Sequence, residues 1–322
     1  MFARERVIPL KIKQIEALLR NLRQNHSKEP LIQQDLKKRI AGFNGEKAVD
    51  YHLSFLTDKR YLIFNDLRLP LTPHFFQIDS LIVTPFYCLI LEIKNISGTL
   101  MIDPEFNQLT KHYNGIETGF TDPISQAQRQ KLFLQRFFYD NKLVKPPIVF
   151  LVVISNPNTI LKMAKGQTLS PPYTKIIHAQ NLISEISKLN NLYTNEIASK
   201  KDISKIKRCF LNSHEPAYTN ILKQYGIEGA ELFRGVQCES CLGKMERIPR
   251  IWYCERCKFT SYHAHKQAIE DYFLLLKPFI TNKELRDLLG IQSSKTARII
   301  LNSLNLKTTG STKGTVYHKD FH

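Results

Sequence analysis

Gln77-Ile78-Asp79-Ser80-Leu81-Ile82-Val83-Thr84-Pro85-Phe86-Tyr87-Cys88-Leu89-Ile90-Leu91-Glu92-Ile93-Lys94-Asn95 reads as two apolar strands joined by a turn at Pro85-Phe86. Asp79, Glu92 and Lys94 interrupt segments that should be buried. A buried charge is costly unless it is paired or bound to a metal. Two carboxylates and a lysine in core strands therefore point to a site. Alternation sets Phe76, Ile78, Ser80 and Ile82 on one side of the first strand and Gln77, Asp79, Leu81 and Val83 on the other. In the second strand, Glu92 and Lys94 share a face with Ile90 and Cys88. Twelve residues separate Asp79 from Glu92, and a hairpin of that length brings them opposite each other at one sheet edge. Two such carboxylates can hold Mg²⁺ or Mn²⁺ through oxygen. An ion there activates water and offsets charge on a phosphate, and a lysine on the same face can orient the water or steady developing charge. Taken alone, the three residues fit a buried ion pair equally well.

Working outward, apolar positions Leu36, Ile40, Phe43, Ala48, Leu53 and Leu56 predict a helix over 32–57. Gly42 and Gly45 within it signal a bend, a boundary or a close approach, since each glycine costs a helix about 1 kcal/mol. Residues 61–69 predict a first strand, with Asn65-Asp66 as an irregularity, and 103–123 are polar and turn-rich. Pro123-Ile124-Ser125 opens a helix running to Tyr139, on which Gln126 and Gln130 lie one turn apart. Residues 148–154 are a continuous apolar run and so a fully buried strand. A short strand at Ile176-Ile177 and a helix over 181–189 follow. Helix, three strands, helix and strand predict an α/β domain with a mixed central sheet over 40–190. Before it, 1–39 reads as a basic helical segment built on Ile8, Ile12, Ile15, Leu18, Leu19 and Leu22; after it, 191–235 reads as a helical linker.

The 322 residues carry 46 Lys and Arg against 29 Asp and Glu, a net charge of +17. That excess points to a polyanion, nucleic acid or an anionic membrane surface, with a merely solvated basic protein as the bland alternative. No apolar run reaches the ~18 residues of a membrane helix, and Met1-Phe2-Ala3-Arg4 leads into no signal-peptide core. Four of six cysteines fall in two pairs, Cys238/Cys241 and Cys254/Cys257, twelve residues apart. Such duplicated knuckles suit a tetrahedral structural Zn²⁺ and a zinc ribbon over 236–262, in a reducing compartment, the cytoplasm. His263 and His265 are spare ligands, and Lys244, Arg247, Arg250, Arg256 and Lys258 are either phosphate contacts or solvated charge.

In 263–322, Ile269, Tyr272, Phe273 and Leu276 mark one helix. Thr281 with Glu284 forms a capping box for a second, which Gly290 ends, and Ser293 or Ser294 caps a third. Helix, glycine turn and helix, followed by a hairpin around Gly310-Ser311-Thr312-Lys313-Gly314, look like a winged helix. Lys295 and Arg298 on the reading helix and Lys313 on the wing are the expected nucleic-acid contacts. A helical hairpin serving protein contacts is the alternative.

Taken in order, Gly42-x-x-Gly45-Glu46, Gln77-Ile78-Asp79, Leu91-Glu92-Ile93-Lys94-Asn95-x-x-Gly98 and Pro123-Ile124-Ser125-Gln126-Ala127 resemble the nuclease-related (NERD) domain, a family placed in the PD-(D/E)XK nuclease superfamily. The resemblance covers roughly 40–155. It implies a restriction-endonuclease-like αβββαβ core with Asp79 and Glu92 as metal ligands and Lys94 as the catalytic lysine. Glu46 would add a carboxylate from the first helix, and Gln126 would reach the site from the helix after the third strand. Ile78 stands where the superfamily name has proline, as is common in nuclease-related domains. The implied function is Mg²⁺-dependent hydrolysis of phosphodiester bonds in DNA, targeted by the zinc ribbon and winged helix. Double-stranded DNA is the expected partner and RNA a weaker reading; no membrane or specific protein partner is indicated. The alternative is a non-catalytic DNA-binding or regulatory protein using a nuclease-like scaffold.

Overall fold

The apolar runs become the centre of a six-stranded mixed sheet. Its strands lie in the order Phe2–Arg4, Leu62–Leu71, His74–Val83, Cys88–Lys94, Ile148–Ile154 and Ile176–His178. Leu62–Leu71, His74–Val83 and Cys88–Lys94 run antiparallel in sequence, whereas Ile148–Ile154 joins Cys88–Lys94 in parallel. The computed structural model describes residues 1–23, 25–106 and 108–321, with the Lys313 side chain outside the description. Two compact units result, residues 1–7 with 40–215 and residues 8–39 with 216–322.

In the first unit each sheet face buries its own core. Phe64, Leu67, Ile78, Leu81 and Ile90 pack with Leu134, Phe137 and Phe138 of the helix Pro123–Asp140. That helix starts where Asp122 accepts hydrogen bonds from the Ile124 and Ser125 amides and Pro123 supplies a preset first turn. On the other face, Ile63, Ile82, Leu91 and Ile93 pack with Val49 and Leu53 of the helix Glu29–Leu53 and with Leu182 and Ile186 of Leu182–Leu192. The polar stretch 103–123 contributes two strands of a second sheet, ordered Ile116–Phe120, Gln108–Tyr113, Thr99–Asp103 and Ile160–Met163.

Four sequence expectations change here. Strict alternation fails along 76–83, because Phe76 and Ile78 share a core with Leu81 and Val83 while Ile82 faces the opposite one. The pairing with Leu62–Leu71 passes from Asn65↔Ser80 to Leu67↔Ile78, so Asp66 and Asp79 drop out of the ladder together. Asp66 takes a left-handed φ of 51° there. An irregularity of this kind re-aims a side chain, and the one it re-aims is Asp79. Second, 1–39 is not one helical segment: Phe2–Arg4 is an edge strand parallel to Leu62–Leu71, and the helix Leu10–Asn21 belongs to the second unit. Third, 191–235 is not one linker. Its helix Lys200–Ser213 buries Ile206 and Phe210 in the first unit's core, Phe210 lying edge-on to Phe64 and Phe138. Fourth, the helix Glu29–Leu53 runs unbroken through both glycines. Gly45 marks a close approach: a Cβ there would lie 2.5 Å from the Asn95 Cβ and 2.6 Å from the Ser155 Oγ. Gly42 has nothing within 4 Å.

The second unit holds a four-stranded sheet in the order Val236–Gln237, Lys244–Ile248, Ile251–Tyr253 and Thr260–Ser261. A three-stranded sheet has the order Phe279–Thr281, Val316–His318 and Lys307–Thr309. The helices Asn282–Leu289 and Ser294–Asn302 lie between the first and last of those strands in sequence. Thr281 and Glu284 form the reciprocal capping box, Gly290 ends the helix at φ 67°, and Ser293 caps the next by accepting the Thr296 amide. Trp252, Phe273, Ile280, Leu285, Ala297 and Leu301 share one core.

The N-terminal strand leads into Arg6, whose side chain is only 3% exposed. Its guanidinium donates to both Asp50 oxygens at 2.8 and 3.1 Å, to Glu46, to the Asp79 carbonyl at 3.1 Å and to Ser80 Oγ at 2.8 Å. This one side chain ties the helix Glu29–Leu53 to the strand that carries Asp79.

Two stability predictions follow, both read by urea unfolding. Arg6→Ala strands two acids and a buried hydroxyl and should cost about 3–5 kcal/mol, the scale for breaking a buried ion pair. Gly42→Ala should gain up to about 1 kcal/mol from helix propensity, whereas Gly45→Ala should lose about 1–3 kcal/mol from overpacking. Equal effects at the two glycines would remove the close-approach account.

Candidate functional site

The candidate centre forms where His74–Val83 and Cys88–Lys94 part company. Their pairing ends at Ser80↔Leu91, so Asp79 and Glu92 occupy the next level, beyond the ladder. Asp79 Oδ2 instead accepts the Ile93 backbone N–H at 2.8 Å, its carboxylate taking the place of a strand carbonyl. Glu92 is 1% exposed. Its Oε1 lies 2.7 Å from Lys94 Nζ, and its Oε2 accepts from Gln130 Nε2 at 2.7 Å. Lys94 Nζ also donates to Gln126 Oε1 at 3.1 Å. Three of the five residues expected from sequence, Glu92, Lys94 and Gln126, thus form one chain of contacts. Asp79 borders it through Ile93, and Glu46 is held by Arg6.

Burial and mutual repulsion hold these acids above the ordinary carboxylate range. Glu92 is pushed up to about 7, first by burial and then by the charge of Asp79, against the pull of Lys94 and Gln130. Glu46 is pushed up to about 8 by burial and Asp79, against Arg6. Burial raises Asp79 too, against the Ile93 N–H, Lys94 and Arg6. Asp66, hydrogen-bonded to Gln77 at 2.5 Å, is likewise raised by burial. Four acids sharing a half-buried edge favour a cation, and oxygen donors suit Mg²⁺ or Mn²⁺. The buried Gln130 Oε1, beside Glu92, has no partner among the described residues. It offers an acceptor that a hydrated cation could use. The acids are engaged one by one by Arg6, Lys94, Gln77, Gln130 and backbone, and among the described residues no three of them meet as a ligand cluster. Among the described residues, the one group of three or more possible ligands within metal-binding distance is the cysteine quartet.

Arg6, Asp66 and Gln130 escaped the sequence reading as members of this site. Gln130 had a signal, its one-turn spacing from Gln126 on a buried face. Arg6 had none, since Arg4-Glu5-Arg6 looks like any charged terminus.

In the second unit the Sγ atoms of Cys238, Cys241, Cys254 and Cys257 all lie within 4.8 Å of one another, with two separations of 3.5 Å. Zn–S bonds of ≈ 2.3 Å in a tetrahedron set sulfurs roughly 3.8 Å apart, so the quartet fits structural Zn²⁺. Each knuckle turns through a left-handed residue, Leu242 at φ 59° and Lys258 at φ 63°. The turns also match in backbone bonding: Cys238 N donates to Gly243 O, and Cys254 N to Phe259 O. The quartet is consistent with a zinc ribbon. His265 is not a fifth ligand; its Nδ1 accepts the Trp252 indole N–H at 3.0 Å within the core. Lys295 and Arg298 are exposed on the helix Ser294–Asn302, and the side chain of Lys313 lies outside the described residues.

Comparison with known proteins adds one match. No curated protein and no solved structure was found to match the chain. The family model described as nuclease-related domain matches residues 41–155, a span that includes Glu46, Asp79, Glu92, Lys94 and Gln126 and excludes Arg6 and the cysteine quartet. Residues 41–155 thus match a nuclease-related domain, and that stretch lies within the first compact unit.

Proposed function

We propose that the protein is a Mg²⁺- or Mn²⁺-dependent deoxyribonuclease with a restriction-endonuclease-like αβββαβ core. The observation that carries this reading is the Glu92–Lys94–Gln126 chain of contacts beside the displaced carboxylate of Asp79. A lysine ammonium held 2.7 Å from a buried acid is placed to meet the negative charge that develops on a scissile phosphate. Asp79 and Glu92 would hold the ion, with Glu46 as a further acid. The ion would supply an acidified water and charge neutralisation. Lys94 Nζ orients the attacking water and stabilises the phosphorane-like charge. Gln126 fixes that lysine through Oε1, and Gln130 fixes Glu92 through Nε2. Water adds to phosphorus, the P–O bond to the leaving sugar oxygen breaks, and the proton lost by water balances the one gained by that oxygen. The products are a phosphate monoester and an alcohol.

The second unit supports delivery of the substrate. It carries 24 Lys and Arg against 13 Asp and Glu, a net +11. On this reading its capped helix pair and three-stranded sheet would serve as a winged helix, with the exposed Lys295 and Arg298 as phosphate or base contacts and Lys313 on the wing. The cysteine quartet would brace this unit as a zinc ribbon.

Purified protein should nick or degrade plasmid and labelled linear DNA with Mg²⁺ or Mn²⁺. Glu92→Ala and Lys94→Ala should each lose at least about 10²-fold in rate, and Gln130→Ala should lose less. Cleavage untouched by the first two changes would overturn the site. Binding without cleavage under either metal would select the non-catalytic scaffold reading. Freshly purified protein should also release about one Zn²⁺ per chain to a chelator-dye assay after thiol modification. Cys254→Ser should lower the thermal midpoint of the second unit. Absence of zinc would remove the ribbon.

A further inference from the structure

A cleft of about 380 Å³ opens beside Lys94 and Gln126, walled by Leu100, Leu109, Ile154 and Phe120. Its lining thus combines two members of the candidate chain with an apolar wall. A phosphodiester needs no apolar wall, so the cleft has room for something attached to the phosphate. The wall continues onto the hairpin of Gln108–Tyr113 and Ile116–Phe120. Leu109 pairs with Phe120, Lys111 with Thr118, and Tyr113 with Ile116. Directly opposed residues of an antiparallel pair share a face, so Phe120, Lys111 and Tyr113 lie along one side of this ribbon. Leu109 is fully buried at the cleft, whereas Phe120 is 39% and Tyr113 48% exposed. Lys111 Nζ sits 4.8 Å from the centre of the Tyr113 ring. Two half-exposed rings with an ammonium between them, leading away from a cleft that ends at a lysine, match the requirements of an unpaired strand. Bases stack on the rings and phosphates meet the cation.

We propose that this face binds single-stranded DNA, with one unpaired base in the cleft against Phe120 and the next part of the strand running over Lys111 and Tyr113. The proposal rests on the nuclease reading for the phosphate's position at Lys94. It narrows the substrate class to DNA with a single-stranded segment at the cleavage point. One base is the expected guest, because Phe120 is the one aromatic side chain lining the cleft among the described residues, with buried Leu100 and Ile154 completing its apolar lining.

The test is binding without added Mg²⁺, so that cleavage plays no part. Full-length protein is titrated with an oligothymidylate carrying an end label, with blunt duplex DNA, and with a duplex whose overhang contains 2-aminopurine. Phe120→Ala and Tyr113→Ala should each weaken binding of the single strand and the overhang roughly tenfold, the scale of one lost base stack. Phe120→Trp should retain it, and blunt duplex affinity should change less than twofold. Lys111→Gln should reduce the salt slope by about one phosphate contact. 2-Aminopurine fluorescence in the overhang should be quenched by the wild-type protein and not by Phe120→Ala. Thermal midpoints matched to wild type exclude misfolding, and Phe120→Leu, which refills the wall without a ring, should bind like Phe120→Ala. Unchanged single-strand affinity in the alanine variants, or an equal loss on blunt duplex, overturns the proposal. The nuclease reading fails separately, if no metal supports cleavage while the binding pattern holds.

Discussion

The buried guanidinium of Arg6 is the interaction on which the candidate centre depends. Without it, Glu46, Asp50, Asp66 and Asp79 would share one sheet edge with few counter-charges. Burial, joined by the charge of Asp79 at Glu46 and Asp66, lifts the Glu46, Asp66 and Asp79 carboxyls above their ordinary range. One planar fork reaches two acids, a carbonyl and a hydroxyl at once. A lysine has three donors on a point charge and no such geometry. Because Arg6 bonds the carbonyl of Asp79 and leaves its carboxylate to the Ile93 amide, it fixes the strand without consuming the acid. The neighbouring Glu92 is handled by a second device, with Lys94 on one oxygen and Gln130 on the other.

The same edge is where regular pairing stops. Leu62–Leu71 and His74–Val83 skip one pair at Asp66 and Asp79, and His74–Val83 parts from Cys88–Lys94 beyond Ser80 and Leu91. A continuous ladder would turn Asp79 into an ordinary strand residue facing one core. The break opens the edge, and Gly45 lets the helix bearing Glu46 close on Asn95 and Ser155 beside it. Asn95 reinforces that approach by donating to the Ala41 carbonyl at 2.6 Å. The glycine is thus explained by what it lets approach, since the helix continues through it unbroken.

Much of this was legible from residue order. Asp79, Glu92 and Lys94 stood out as charges in apolar strands, and extrapolated pairing puts the two acids at one level, as a twelve-residue separation implies. The cysteine quartet was legible because C-x-x-C turns are local: spacing determines which thiols meet. Thr281, Glu284 and Gly290 acted as the caps their positions implied for the same reason. What stayed hidden was non-local. Arg6 meets acids 40 and more residues away, and nothing in its own neighbourhood reports that. The helix Lys200–Ser213 is strongly basic, so the burial of Ile206 and Phe210 against Phe64 could not be told from a surface stripe. Alternation failed along 76–83 because a paired irregularity depends on both strands, and a pattern read along one of them sees only half of it.

Charge is also divided unevenly. The unit containing the candidate centre carries 22 Lys and Arg against 16 Asp and Glu, a net +6, although its acids gather at the site; the other unit carries the larger excess. A nuclease centre must hold acids for its metal while meeting a polyanion, and those demands oppose each other on one surface. Concentrating the positive field in a second unit relieves that conflict. On the proposed reading, affinity would come from phosphate contacts that are indifferent to sequence, leaving the centre to be set by metal binding and by geometry. Within the first unit the same conflict is answered locally: Lys94 stands against Glu92, and Lys111 is set on the hairpin beyond the cleft. On the proposed reading, a strand laid over the hairpin would meet Lys111 and the rings of Tyr113 and Phe120 before the cleft at Lys94.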